Sequence, residues 1–239
     1  MNRMLASVQS VPEAAIALES GVDWVDVKDP LAGALGAAPK SLIVEIARLI
    51  DGRRPVSATL GDTWQTTDQI PARAKALAET GVDFVKAGVD VKYLTARSIE
   101  YLSRAAEHGP PLIIVCAAES PPTVDDIQRL ATCGIAGIML DTMDKNGPRL
   151  IDLVTTEQLI EFVCAARATH LICGLAGRLK LTDIRTLTPL NPDYLGFRSA
   201  LCCDGDRRSS LDHDSVRRVA AEIAHQSGLK SSNNSREVA

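Results

Sequence analysis

Eight short apolar segments, each followed by a stretch with helical spacing, limit what this chain can fold into. The segments fall at residues 4–8, 24–27, 56–60, 84–87, 112–117, 137–140, 170–174 and 194–197. The helical patterns fall at 12–20, 40–50, 71–80, 96–107, 124–132, 156–168, 181–186 and 214–227, with Pro12 and Pro71 at first-turn positions and Asp214 near a cap. Strict alternation of this kind predicts an α/β protein with a parallel sheet. Eight units within 239 residues predict one closed (β/α)8 TIM barrel over residues 1–227 rather than an open sheet. Residues 228–239 are polar and without periodicity, and are read as a disordered tail.

An internal echo supports the count. Glu19-Ser20-Gly21-Val22-Asp23-Trp24-Val25-Asp26 resembles Glu79-Thr80-Gly81-Val82-Asp83-Phe84-Val85-Lys86, with a weaker copy from Thr132 to Met139. In each, glycine gives the left-handed helix stop before the chain turns into a buried strand. Aromatic residues make up only 3% of the chain. Ala, Val, Leu and Ile predict a barrel interior filled by small branched side chains.

Composition also narrows the partners. A net charge of −4 and few aromatic residues exclude the basic footprint and stacking platforms of nucleic-acid binding. No apolar run reaches the roughly 18 residues of a membrane span, and the N-terminus has no secretory pattern. The expected setting is the cytoplasm. Six cysteines without C-x-x-C spacing are read as reduced thiols, Cys202-Cys203 being a candidate reactive pair. The four histidines lack ligand spacing, so no metal is expected.

Barrel active sites lie at the C-terminal ends of the strands, where charge inside an apolar run stands out. In Trp24-Val25-Asp26-Val27-Lys28 side chains alternate. If the valines pack against helices, Asp26 and Lys28 face the interior. The fourth strand delivers Lys86, the sixth Asp141 and the eighth Arg198. Lys145, four residues past Asp141, either reaches over the mouth or is solvated. Strand-end lysines are often salt-bridged structural residues. Two from different strands, beside two carboxylates, favour chemistry: crowding and burial lower an amine pKa, and a neutral amine attacks carbonyls to form an imine. Loops after strands 7 and 8 hold phosphate in this fold. Here they carry Gly174-Leu175-Ala176-Gly177-Arg178 and Arg198-Ser199-Ala200, so Gly177, Arg198 and Ser199 are candidate phosphate ligands. Gly61-Asp62 is a further candidate for the mouth.

Several of these segments resemble the (5-formylfuran-3-yl)methyl phosphate synthase family. They are Val25-Asp26-Val27-Lys28-Asp29-Pro30 with Gly33-Ala34-Leu35-Gly36-Ala37, Val56-Ser57-Ala58-Thr59-Leu60-Gly61-Asp62, Val82-Asp83-Phe84-Val85-Lys86, and Met139-Leu140-Asp141-Thr142 with Lys145. Leu175-Ala176-Gly177 and the run from Gly196-Phe197-Arg198 through Gly205-Asp206-Arg207 belong to the same pattern. The resemblance implies a (β/α)8 carbon–oxygen lyase that condenses two glyceraldehyde 3-phosphate molecules, with loss of phosphate and water, on the route to methanofuran-type one-carbon carriers. It implies Lys28 as the Schiff-base lysine and Lys86 as the proton-transfer base, supported by Asp26, Asp141 and Lys145, with no metal or organic cofactor. Ser199-Ala200-Leu201-Cys202 departs from the Gly-Ala-Ala-Cys-like stretch of the family. Two other readings stay open: a Schiff-base aldolase on another sugar phosphate, and a non-catalytic phosphometabolite-binding barrel. Homo-oligomerisation also stays open.

Overall fold

The computed structural model describes residues 2–234. Eight parallel strands, β1 (Arg3–Val8), β2 (Trp24–Val27), β3 (Val56–Thr59), β4 (Phe84–Val89), β5 (Leu112–Ala117), β6 (Gly137–Asp141), β7 (Ile172–Leu175) and β8 (Tyr194–Phe197), pair in sequence order. β1 pairs with β8 and closes the barrel. Around it run α1 (Val11–Glu19), α2 (Lys40–Ile50), α3 (Ile70–Leu77), α4 (Ala96–His108), α5 (Val124–Ala131), α6 (Leu150–Leu153), α7 (Thr156–Ala168), α8 (Ile184–Leu187) and α9 (His213–Asn234). All eight expected strands are present. The seventh starts two residues later than expected because His170 ends the preceding helix in the left-handed region, with φ 59°. The weak pattern at 181–186 resolves into a 3-10 turn, Leu181–Asp183, and the one-turn α8. α9 continues past residue 227, and residues 235–239, the end of the expected tail, lie outside the described residues.

Local sequence explains these elements. Thr95, Thr123 and Thr155 accept from the backbone N–H three residues on at the starts of α4, α5 and α7, closing orphan donors of the first turn. At the other end of the units, Gly21, Gly81 and Gly134 have φ of 80°, 83° and 72°, as the echo requires. The aspartate two residues after the glycine has its own task. Asp23 accepts from the Met4 N–H at 2.8 Å and Asp83 from the Val56 N–H at 2.7 Å, each satisfying the start of the neighbouring strand. Asn191-Pro192-Asp193 repeats the device, with Asn191 at φ 62° and Asp193 accepting from the Cys173 N–H at 2.7 Å.

Two apolar layers result. Val25, Val27, Val56, Ala58, Val85 and Ala87 point outward and pack against the helices in the larger core. The barrel interior differs from expectation. Its floor is aromatic: Trp24 lies 4.7 Å from Phe84 and 5.1 Å from Tyr194, centroid to centroid. Room for the Tyr194 ring comes from Gly174, where a Cβ would stand 2.3 Å from it. Leu5, Ile113 and Val115 share the interior with these rings, and the other branched side chains coat the outside of the strands. A few large rings plug the inside, their polar ends satisfied by Trp24 Nε1 donating to Ser57 Oγ (3.1 Å) and Tyr194 Oη to Met139 Sδ (3.3 Å).

The six cysteines are unpaired; Cys164 and Cys203 are exposed and the rest buried. Burial pushes the Cys202 thiol up to about 11, which makes it a poor nucleophile at neutral pH. No described helix is long and apolar enough to cross a membrane.

Trp24 joins Phe84 and Tyr194 into one floor, so Trp24→Ala should lower the unfolding free energy by about 3–5 kcal/mol in a urea titration. Leu31→Ala, at an exposed loop position, should change it by less than about 0.5 kcal/mol. Equal effects from the two would refute the floor.

Candidate active site

Pairing register brings the first part of the site together. Ser7 on β1, Asp26 on β2 and Ser57 on β3 stand level across the sheet. Asp26 therefore sits between two hydroxyls: Ser57 Oγ donates to its Oδ1 at 2.6 Å and Ser7 Oγ to its Oδ2 at 3.1 Å. Lys86 rises from β4 and places Nζ 3.0 Å from Asp26 Oδ1. This ion pair rests on the aromatic floor, with Nζ 5.5 Å from the Tyr194 ring centroid and 5.9 Å from that of Trp24. Burial alone would raise the Asp26 carboxyl. The charges of Lys86 and Lys28 and the Ser57 hydrogen bond prevail and hold it below its ordinary value.

A second pair closes the opposite side. Asp141 ends β6, and Lys145 folds back so that Nζ lies 2.5 Å from Asp141 Oδ1 and 3.4 Å from Thr142 Oγ1. Glu119, from the loop after β5, fixes the turn by accepting from the Met143 N–H at 2.8 Å and the Asp144 N–H at 3.0 Å. Lys145 thus reaches over the mouth, the first of its two expected positions. Burial lowers its pKa against the pull of Asp141.

Lys28 lies between these pairs, just past the end of β2, buried and without a hydrogen bond or ion pair from Nζ among the described residues. Burial pulls its pKa down to about 8. Asp141 and Asp26 oppose the shift, while Lys145 and Arg207 add to it. One cavity is lined by Asp26, Lys28, Lys86, Asp141 and Lys145, so the five residues share one space. Leu35, in the loop after β2, covers part of it; Asp62 pins that loop by accepting from the Leu35 N–H (2.8 Å) and Trp64 Nε1 (3.2 Å).

The phosphate candidates divide. Gly177 and Ser199 line the cavity, and Gly177 has φ 118° with a would-be Cβ only 3.0 Å from Thr142 Cγ2. The N–H groups of Gly177, Arg178, Ser199 and Ala200 meet no acceptor among the described residues and are available to an anion. Arg198 has a different position. Nη1 donates to Glu13 Oε2 at 2.5 Å and to Ser7 O at 3.1 Å. Nη2 donates to Glu13 Oε1 at 3.2 Å and to Ser209 O at 2.8 Å, and Nε to Arg207 O at 2.8 Å. All five of its donors are engaged within the protein, which leaves none for phosphate. Arg198 instead ties the loop after β8 to α1. Its partner Glu13 was not visible as a site residue in sequence. The only signal was an acidic residue three after a Ser cap, which reads as an ordinary first-turn acid.

Known proteins resemble this chain over nearly its whole barrel. Residues 4–220 match the family model of 4-HFC-P synthase. A protein of Methylorubrum extorquens provisionally named (5-formylfuran-3-yl)methyl phosphate synthase is 43% identical, covering 88% of this chain and 86% of that one. The (5-formylfuran-3-yl)methyl phosphate synthases of Methanocaldococcus jannaschii and Methanosarcina mazei are 34% and 31% identical, covering 90% and 92% of this chain and 97% and 98% of their own. Among solved structures, phosphoribosyl anthranilate isomerase of Thermus thermophilus superposes with TM-score 0.68 at 14% identity, over 93% of this chain and 98% of that one. The 3-hexulose-6-phosphate synthase of Salmonella typhimurium gives 0.64 at 16%, over 94% and 99%. Those two share the fold alone; the sequence match over nearly the whole barrel shows that this chain belongs to the 4-HFC-P synthase family.

Proposed function

We propose that this enzyme condenses two molecules of glyceraldehyde 3-phosphate into (5-formylfuran-3-yl)methyl phosphate through an imine at Lys28, in methanofuran-type cofactor synthesis. The observation that carries the reading is a buried amine with its pKa near 8, placed between two carboxylate–lysine pairs in one cavity. The neutral Lys28 attacks the aldehyde carbon, and the hydroxyl of the adduct leaves as water with a proton from the Asp141–Lys145 pair. The resulting iminium withdraws electrons from the neighbouring carbon. Lys86 then takes the proton from that carbon. It does so as the free amine, and the ammonium that results is held by Asp26 at 3.0 Å. The freed pair expels the phosphate from the next carbon and leaves an enol, whose terminal carbon attacks the middle carbonyl of the second triose in its keto form. Ring closure, loss of two further waters and hydrolysis of the Lys28 imine, which takes up one water, complete the furan, and aromatisation makes these last steps downhill. Atoms balance without oxidant or reductant, in keeping with a reaction that draws on no cofactor. The phosphate of the second triose rests on the N–H groups of Gly177 and Ser199, while Arg198 holds the loop that presents Ser199.

The direct test is to incubate the purified protein with glyceraldehyde 3-phosphate and follow furan absorbance and product mass. A mass equal to the plain aldol adduct, with no furan, would make the enzyme an aldolase instead. Lys28→Arg keeps the charge but cannot form an imine, and should abolish the furan while leaving the unfolding transition in place. Lys86→Ala should slow turnover by roughly 10²–10⁴-fold.

The free amine is the active form. With its pKa at about 8, kcat/KM should rise with pH below 8 and level off above it. A profile flat from pH 6 to 9 would contradict a titrating Lys28.

A further inference from the structure

The proposed condensation brings two phosphates to one barrel, and the N–H groups after β7 and β8 form a cradle for one. Beside the cavity, on the outer side of those same loops, lies a second, wider depression. Its cations fall into two sets. Arg149 is bound by Asp152 (2.9 Å) and Asp183 (3.0 Å), Arg208 by Asp206 (3.2 Å) and Lys145 by Asp141 (2.5 Å). Like Arg198 on Glu13, the arginine pairs are structural. Arg178, Lys180 and Arg207 have no carboxylate partner among the described residues, and the single side-chain hydrogen bond of this set runs from Arg207 Nη2 to Gly33 O at 3.0 Å.

Arg178 and Arg207 line both the Lys28 cavity and the depression, so they stand where the two meet. Arg178 is held there by a left-handed backbone with φ 54°, directly after Gly177. Arg207 is held by the Arg198 clamp, which grips the carbonyls of residues 207 and 209. Burial lowers the Arg207 pKa, and the neighbouring Arg198 charge adds to that, so an anion beside it would relieve a real cost. Unpaired guanidinium groups held close together are the usual means of gripping a phosphate dianion.

We infer that Arg178 and Arg207, with Lys180 at the rim, form a second phosphate subsite, which holds the phosphate of the Lys28-bound triose and receives it when it is expelled. This rests on the condensation proposed above. In the elimination, a proton leaves the carbon next to the iminium. The freed pair forms the new C=C bond, and the C–O bond breaks with its electrons going to phosphate. Two guanidinium groups at the leaving oxygen stabilise the charge that develops there. The subsite opens to solvent, so the released phosphate can depart while the phosphorylated furan stays on the inner cradle.

The test titrates the wild-type protein with inorganic phosphate by calorimetry, with no triose present, in parallel with Arg178→Gln and Lys180→Gln. Two phosphate sites per chain are expected in the wild type. Arg178→Gln should weaken one of them roughly tenfold, the scale of one charge-assisted contact, and leave the other unchanged. In turnover, its KM for glyceraldehyde 3-phosphate should rise and inhibition by added phosphate should weaken. Lys180→Gln, at an exposed position where folding is not at risk, should show a smaller effect of the same sign. A single phosphate site in the wild type, or wild-type phosphate affinity and KM in Arg178→Gln, would overturn the subsite. Absence of furan from the wild type would instead overturn the condensation, and the phosphate titration reads independently of it.

Discussion

Three buried lysines share two buried aspartates at the mouth of this barrel, and the mismatch sets the chemistry. Lys86 is paired with Asp26 and Lys145 with Asp141. Lys28, between them, has no carboxylate of its own. A buried ammonium without a partner is costly, and that cost brings the neutral amine within reach of neutral pH. The two aspartates still act on Lys28 at longer range and keep its pKa near 8 rather than far lower. The site thus holds one amine without a partner beside two carboxylate–lysine pairs.

The barrel is what fixes this arrangement. Level pairing of Ser7, Asp26 and Ser57 orients the carboxylate, and the rings of Trp24 and Tyr194 support the Lys86 charge from below. Turning the valines of β2 outward and the charges inward follows from strand alternation alone. For that reason Asp26, Lys28, Lys86 and Asp141 were legible in the sequence, as were the eight strands and the glycine stops before three of them. The floor was not legible. It depends on Gly174 vacating space for Tyr194, two positions whose meeting is set by the closure of the barrel rather than by any local pattern. Low aromatic content suggested small branched side chains inside; Leu5, Ile113 and Val115 are there, joined by a few large rings.

The phosphate side shows the same limit. The loops after β7 and β8 could be located from their glycines and their position in the fold. Which arginine faces the ligand could not. Arg198 has the expected place in sequence but is consumed by Glu13 and three carbonyls, and the contact with Glu13 spans 185 residues. Arg207 follows in the loop that this clamp holds down, and takes the position over the cavity. A buried ion pair fully satisfied by hydrogen bonds serves here as a fastening, and the arginines left without acid partners face the cavity.

The account stands on Lys28 being the imine-forming amine. Sodium borohydride reduction in the presence of glyceraldehyde 3-phosphate, followed by peptide mapping, tests this directly. The stable adduct should map to the peptide carrying Lys28 and be absent from Lys28→Arg. An adduct confined to Lys86 or Lys145, or none under turnover conditions, would contradict it.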